Sequence, residues 1–452
     1  MKTIRWFGDS IWLVLLSSTV ILLASGCGGS ANSGAQPPSG PVPVSNAAVG
    51  DGGVPSFYVW SGPVPGTPGQ LLRQQSLDAN LALDNSDPSQ NVRMLYTSTD
   101  GVDGKTPVAV SGAAYFPKGP PPAGGWPIIA WTHGTVGVAD VCAQSYTQRS
   151  DRDKAYLGTL LAQGYAVVAT DYQGLGTPGP HPYVLTRAEA YSTLDNLRAA
   201  LAMFPGVLAN KVISVGQSQG SGGTIATLQY APTYAPDVHI LGGVATGVAF
   251  GFSGTNPAPQ IPVHVVSNAL LPVSGDALFD MFIWRGTAPA VNPAFDITPY
   301  LSDSAKPLFA ASIKNCVDAL ETMESSEGIT EANYLKASPP ASLFAPVLSR
   351  LPTPIAGFSL KVPLFTGTGL ADTVTGTPAA YNFISTACSL GATIEWHYYP
   401  GLTHNGTVNG SLVDSLPFIK KVLAGEPVVS NCSSLVVPGP LQPATPGLPF
   451  NT

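Results

Sequence analysis

Gly216-Gln217-Ser218-Gln219-Gly220 directly follows the apolar run Val212-Ile213-Ser214-Val215, and small residues that can open a helix come after it. A serine on a sharp turn between a strand and a helix has a strained backbone, so the residues two before and two after it must be nearly free of side chain. Gly216 and Gly220 meet this requirement. A GxSxG match can arise by chance among 49 glycines, but the flanking strand and helix favour a nucleophile elbow that exposes the Ser218 hydroxyl.

Around this motif, short apolar runs rich in β-branched residues alternate with segments of helical periodicity. This alternation predicts an α/β fold with a mainly parallel central sheet and helices on both faces. Such open sheets bind ligands at the carboxyl ends of their strands, where the Ser218 turn also lies. The predicted strands are 127–131, 166–170, 212–215, 240–245, 362–366 and 394–399, and the predicted helices are 153–162, 187–203, 219–230, 378–390 and 411–423.

The N-terminus has the layout of a bacterial secretion signal, with Lys2 and Arg5 before an apolar stretch and Cys27 after small residues. We predict a signal over 1–26 of the lipoprotein type, with Cys27 as the lipidation site; plain secretion is the alternative. Residues 27–53 are rich in Gly, Ser, Ala and Pro, which predicts a flexible linker. The expected location is extracytoplasmic, as a cell-envelope lipoprotein or a secreted protein.

The pattern of the sequence after residue 53 predicts one large catalytic domain that carries an insertion. The strand and helix pattern covers 54–250 and 359–432. Between 251 and 358 aromatics, prolines and helical patches replace the strands. We interpret this insertion as a largely helical cap or lid, because long insertions in compact domains usually serve function; a purely structural excursion is the alternative. Residues 433–452 form a Pro-rich tail.

Composition narrows the class of partner. The formal net charge is −7 without any basic cluster, which argues against nucleic acid. Charged residues make up 10% and apolar residues 44% of the chain, a balance that favours neutral or apolar substrates. We expect a monomer that contacts membrane only through an N-terminal lipid anchor or a lipid interface.

Sequence motifs and the spacing of cysteines indicate which cofactors, metals and disulfides to expect. No glycine-rich phosphate loop or cofactor fingerprint occurs, so we predict no cofactor. No CxxC or His-rich spacing suggests a zinc site, so we predict no metal. Apart from Cys27, four cysteines remain, and an even number in an exported protein favours two disulfides with three possible pairings. These four are Cys142, Cys316, Cys388 and Cys432.

A serine nucleophile needs a histidine to take its proton and an acid to orient that histidine. His404 is the predicted base, because it follows the last predicted strand in a glycine-bounded loop. The acid should lie between serine and histidine in chain order, and Asp372 follows a strand at that point. Asp171 is the rival acid. Packed, hydrogen-bonded roles or loop positions are expected for the other histidines: His133, His181, His239, His264 and His397.

The oxyanion of a tetrahedral intermediate requires backbone N–H donors. One should be the amide of Gln219, the residue after the nucleophile. The other should be the amide of Gly134 or Thr135, where glycine lets the backbone approach the substrate. His133 is expected to pin this loop.

Together these residues resemble the secretory lipase family related to the fungal lipase A type, whose members are α/β-hydrolases with a largely helical cap. The likeness spans most of the chain. Besides the elbow, Asp372 and His404, it rests on residues 68–73 (PGQLLR), 131–135 (WTHGT), 141–143 (VCA) and 171–176 (DYQGLG).

The resemblance implies a triad of Ser218, Asp372 and His404, with disulfides Cys142–Cys316 and Cys388–Cys432. It also implies hydrolysis of carboxylic esters with medium or long acyl chains. The alternatives are an esterase of short-chain or polyester-type esters, an acyltransferase or peptidase on the same triad, and a non-catalytic lipid-anchored binding protein.

Overall fold

The computed structural model describes residues 37–250, 277–348 and 358–452. The predicted signal, Cys27, His264 and part of the predicted cap lie outside the described residues. Within them, the chain has the α/β fold predicted from the sequence, with helices packed on both faces of a mainly parallel sheet.

The described residues form one nine-stranded sheet in the order β1-β2-β3-β5-β4-β6-β7-β8-β9. The pairs β1–β2, β2–β3 and β3–β5 are antiparallel, and all pairs from β5–β4 to β8–β9 are parallel. All six predicted strands are present, whereas β1 to β3 were not predicted. The strands are β1 Leu71–Ser76, β2 Val92–Thr99, β3 Pro107–Tyr115, β4 Trp126–Thr132, β5 Ala166–Thr170, β6 Leu208–Gln217, β7 Ile240–Thr246, β8 Leu364–Gly369 and β9 Ile394–Tyr399.

The central strands are buried on both faces, which explains why their sequences are almost continuously apolar. The helices beside the sheet are α1 Asp151–Ala162, α2 Thr186–Met203, α3 Gln219–Tyr234, α9 Thr377–Ser389, α10 Gly406–Gly410 and α11 Leu412–Leu423. In β4, Ile128 and Ala130 face a cluster that includes residues of α2, α3 and α9. Ile129 and Trp131 face the opposite cluster, which includes residues of α1 and α11.

The described part of the predicted insertion is helical and has an apolar core of its own. Phe282, Leu308 and Leu320 are buried together there, with Tyr183 and Val138 joining from outside the insertion. No helix in the described ranges is long and apolar enough to cross a membrane. The helices of the insertion are α4 Ala277–Phe282, α5 Ala288–Val291, α6 Ala305–Ala311, α7 Val317–Ser326 and α8 Ala341–Leu348.

Residues 37–53 are the described part of the linker predicted over 27–53, and they are hydrogen-bonded to the domain. The Gly40 N–H donates to the Val64 carbonyl over 2.7 Å, and the Gly52 N–H donates to Asp140 Oδ2 over 2.7 Å.

Candidate active site

Ser218 lies on the turn between β6 and α3 with φ 56° and ψ −126°. A positive φ is uncommon for a residue other than glycine, and neighbouring backbone must hold it in place. The Ser218 N–H donates to the Thr246 carbonyl over 3.0 Å. The Ser221 hydroxyl donates to the Ser218 carbonyl over 2.6 Å. The side chain of Ser218 is half-buried at the carboxyl edge of the sheet.

Gly216 and Gly220 are required by close backbone contacts around this turn. A Cβ added to Gly220 would lie 1.9 Å from the Thr132 carbonyl oxygen, and one added to Gly216 would lie 2.1 Å from the Gly220 carbonyl oxygen. Both distances are far inside van der Waals contact with backbone, which cannot rotate away.

We expect Gly220→Ala to lower the free energy of unfolding by about 1–3 kcal/mol or more, because the new methyl group must push strand β4 and helix α3 apart. Urea unfolding measures this. Gly439→Ala is the matched control, since a Cβ there meets no atom within 4 Å. Equal unfolding midpoints for the two variants would contradict the close packing of the elbow.

His404 and Asp372 are buried and hydrogen-bonded to each other, with His404 Nδ1 2.8 Å from Asp372 Oδ2. The Val374 N–H and the Thr375 hydroxyl also donate to this carboxylate. Burial raises the pKa of Asp372, but His404 and these donors outweigh it and bring the pKa below its ordinary value. The carboxylate is therefore charged at neutral pH and orients the His404 ring.

The remaining ring nitrogen, His404 Nε2, is buried and has no hydrogen-bond partner among the described residues. Residues at the end of β7 contact both His404 and the elbow. The Thr246 carbonyl accepts from the Ser218 N–H, and a Cβ added to Gly247 would lie 2.5 Å from His404 Cε1. The structure thus brings Ser218, Asp372 and His404 to the same edge of the sheet.

The predicted oxyanion residues also lie beside the elbow. A Cβ added to Gly134 would lie 3.6 Å from Ser218 Cβ and 2.6 Å from Gln217 Oε1. Thr135 Oγ1 is 2.7 Å from the Tyr183 hydroxyl. Gln219 is the first residue of α3, and its side chain is buried.

His133 fixes the backbone of this loop. The Nδ1 atom of His133 is 2.7 Å from the Gly134 carbonyl oxygen. The Tyr172 hydroxyl donates to the His133 carbonyl over 3.0 Å. Burial lowers the pKa of His133, so the ring is neutral. Its single N–H is then best placed on Nδ1, the nitrogen nearer to a carbonyl oxygen.

Asp171, the rival acid, has a different environment. Its carboxylate accepts hydrogen bonds from the Ser111 hydroxyl and from the N–H and hydroxyl of Ser145. Its link to His133 runs through the backbone carbonyl and not through the carboxylate. Asp171 thereby joins β3 to the loop after β4.

A buried group of three polar side chains beside the elbow was not predicted from the sequence. Gln219 Nε2 donates to Glu189 Oε1 over 2.9 Å and lies 3.2 Å from His181 Nε2. Burial raises the pKa of Glu189 to about 8 and lowers that of His181 to about 3. The available signal was a glutamate between Ala188 and Ala190 on a helix, a position whose burial only the packing reveals.

Glu189 gives a prediction for the pH dependence of stability. Its pKa is higher in the folded state than the ordinary 4.5, so the folded state binds more protons and stability falls as pH rises from about 4.5 to about 8. Glu189→Gln keeps the acceptor for Gln219 and removes the titration. We expect the melting temperature of the variant, relative to wild type, to be a few degrees higher at pH 8 than at pH 5. A difference that does not change with pH would contradict this.

The described part of the insertion is joined to the predicted oxyanion loop by a disulfide and by a backbone hydrogen bond. The disulfide Cys142–Cys316 has a Cα separation of 5.5 Å, and the Val317 N–H donates to the Val136 carbonyl over 2.9 Å. The second disulfide, Cys388–Cys432, joins the end of α9 to the chain beyond α11. These are the pairs that the resemblance implies. No cluster of His, Cys, Asp and Glu in the described ranges could hold a metal ion.

Comparisons with known proteins give the relatives of this chain. Residues 140–258 match the family model of the secretory lipases. A probable trichothecene esterase of Stachybotrys chartarum is 30% identical over 113 residues, which cover 24% of this chain and 22% of the esterase. The chain thus spans about a fifth of the length of that relative. Lipase A of Moesziomyces aphidis is 22% identical over 394 residues, 80% of this chain and 79% of that protein.

The fold has solved counterparts. The closed-state structure of Candida antarctica lipase A superimposes with a TM-score of 0.59 at 18% identity, covering 84% of this chain and 89% of the other. The secretory lipase match and the two disulfides fit an extracytoplasmic protein. The resemblance predicted from the sequence is therefore confirmed: this chain is a relative of the secretory lipases and has the α/β-hydrolase fold of lipase A.

Proposed function

We propose that this protein is an exported carboxylic ester hydrolase that cleaves apolar esters through an acyl-enzyme on Ser218. His404 is the general base and Asp372 the orienting acid. The observation that carries this proposal is the charged Asp372 on His404 Nδ1, which leaves the buried Nε2 without a partner beside the elbow.

In the proposed mechanism, His404 Nε2 takes the Ser218 proton while Ser218 Oγ attacks the ester carbonyl carbon. The resulting oxyanion accepts hydrogen bonds from the amide of Gln219 and from that of Gly134 or Thr135, each contributing about 3 kcal/mol. His404 then gives its proton to the leaving alkoxide, which departs as the alcohol. Water, deprotonated by His404, then attacks the acyl carbon; the bond to Ser218 Oγ breaks, His404 returns the proton to Ser218, and the acid is released.

Two features support an apolar ester as substrate. The chain carries few charges, and the described part of the insertion has an apolar core fastened to the predicted oxyanion loop. We propose that residues 251–358 form the cap over the site and 54–250 with 359–432 the catalytic core. Lipids and polyester fragments are the candidate substrates.

Export is proposed on the N-terminal pattern. Residues 1–26 would be removed, and Cys27 would then carry the lipid that tethers a monomer to the cell envelope, with plain secretion as the alternative. Mass spectrometry of the mature N-terminus distinguishes the two.

The proposal is tested by initial rates on p-nitrophenyl esters from two to sixteen carbons, combined with labelling by a p-nitrophenyl phosphonate. We expect ester turnover and an adduct on Ser218. A rate maximum at long chains supports a lipase, and one at two to four carbons supports an esterase of short-chain or polyester-type esters. An amide with the same acyl group tests the peptidase alternative. Absence of both turnover and adduct would leave a binding protein.

A further inference from the structure

The Pro-rich tail, residues 433–452, lies against the two loops that carry Asp372 and His404. Two of its backbone N–H groups donate to residues two positions before Asp372 and three positions before His404. The Gln442 N–H donates to the Leu370 carbonyl over 2.9 Å, and the Thr445 N–H donates to the Gly401 carbonyl over 2.8 Å.

Asn451 makes the most contacts with the histidine loop. Its Oδ1 accepts from the Thr403 N–H over 2.7 Å, one residue before His404. Its Nδ2 donates to the Gly401 carbonyl and to the Thr445 carbonyl, each over 2.9 Å. The Asn451 side chain thus connects the tail with two points of the histidine loop, which are Gly401 at its start and Thr403 next to His404.

Gln442 also binds the histidine loop, and it binds the acid loop as well. Its Oε1 accepts from the Gly401 N–H over 3.1 Å, while its backbone binds Leu370 in the loop of the acid. The two loops are also bonded to each other, since the Ala371 N–H donates to the Leu402 carbonyl over 3.0 Å. The tail therefore braces an assembly of both loops.

The glycines that bound the histidine loop fit this close approach. A Cβ on Gly401 would lie 2.1 Å from Thr445 Oγ1, and a Cβ on Gly406 would lie 2.1 Å from Asn451 Oδ1. Because these two positions are glycines, the loop leaves room for the tail.

We propose that the tail is a positioning strap for His404, with Asn451 and Gln442 as positioning residues that hold the histidine loop against the acid loop. The inference rests on the proposed function, because it assigns the strap to the placement of the general base. A base displaced by about 1 Å from its productive geometry loses about a hundredfold in rate, so bonds on adjoining residues are enough to matter.

The test compares Asn451→Ala and Gln442→Ala with Leu441→Ala in the full chain. Leu441 is the matched control, because it lies in the same tail next to Gln442 and its side chain is 56% exposed. The readouts are kcat and KM on a p-nitrophenyl ester, the rate of phosphonate labelling, the melting temperature, and the low-field proton resonance of the Asp372–His404 hydrogen bond.

We expect Asn451→Ala to lower kcat and the labelling rate by about tenfold to a hundredfold, with KM changed less than about threefold. The low-field resonance should shift or broaden in both tail variants and persist in Leu441→Ala. A merely structural role would lower the melting temperature only. The resonance would then be unchanged, and so would kcat when it is measured well below the melting temperature. That result overturns the inference.

Failure of the proposed function gives a different pattern. Wild type would then show neither turnover nor a Ser218 adduct. The resonance still decides on the strap: its loss in Asn451→Ala supports positioning of His404, and its persistence in both tail variants overturns it.

Discussion

Replacing Ser218 by alanine is expected to lower kcat on p-nitrophenyl esters by about a million-fold. Alanine keeps the backbone at φ 56° and removes only the oxygen that would form the acyl-enzyme. The expected residual rate comes from the amides of Gln219 and Gly134 or Thr135, which still polarise the ester carbonyl. Stopped assays of purified wild type and variant at one pH measure the ratio.

Ser214→Ala is the matched control for this variant. Ser214 lies on strand β6, which precedes Ser218, it is fully buried, and its hydroxyl donates to Thr224 Oγ1 over 3.2 Å. We expect a small loss of stability and turnover close to that of wild type. If Ser218→Ala retained more than about one part in a thousand of the wild-type kcat, an acyl-enzyme on Ser218 could not be the main route.

Much of the fold could be predicted because the central strands are buried on both faces. Their apolar runs stand out in the sequence, and the GxSxG motif after one of them indicates which strand carries the proposed nucleophile. Strand β1, Leu71–Ser76, has half of its residues exposed and polar, so it lacks such a run. The antiparallel strands β1 to β3 are stabilised by ladder bonds to one another, and a single sequence does not display those pairings.

Candidate site residues can be predicted from the sequence where a residue of the right type directly follows a predicted strand. Chain order and strand ends predict Ser218, Asp372 and His404 as the triad, and these three residues lie at one edge of the sheet. Their supports were not found, because Glu189 and Asn451 act through contacts between segments far apart in the chain. Asn451 contacts a loop 48 residues earlier, and polar residues in a Pro-rich stretch otherwise indicate only exposure.

Asp372→Asn is expected to lower kcat by about ten-thousand-fold. The Asp372 carboxylate accepts the Nδ1–H of His404, which leaves Nε2 as the acceptor for the serine proton. An asparagine side chain can offer its N–H₂ group to Nδ1 instead and so move the ring proton to Nε2. The base would then be blocked, although the fold and the substrate contacts remain.

Asp171→Asn separates this effect from the loss of a buried charge. Both aspartates follow a sheet strand and are buried, but Asp171 is bonded to Ser111 and Ser145. We expect Asp171→Asn to lower the free energy of unfolding by about 1–3 kcal/mol and to leave kcat within about fivefold of wild type below its melting temperature. If Asp171→Asn lost activity and Asp372→Asn kept it, Asp171 and not Asp372 would be the orienting acid. The reason is that only the acid bonded to the base can set the histidine tautomer on which activation of the serine depends.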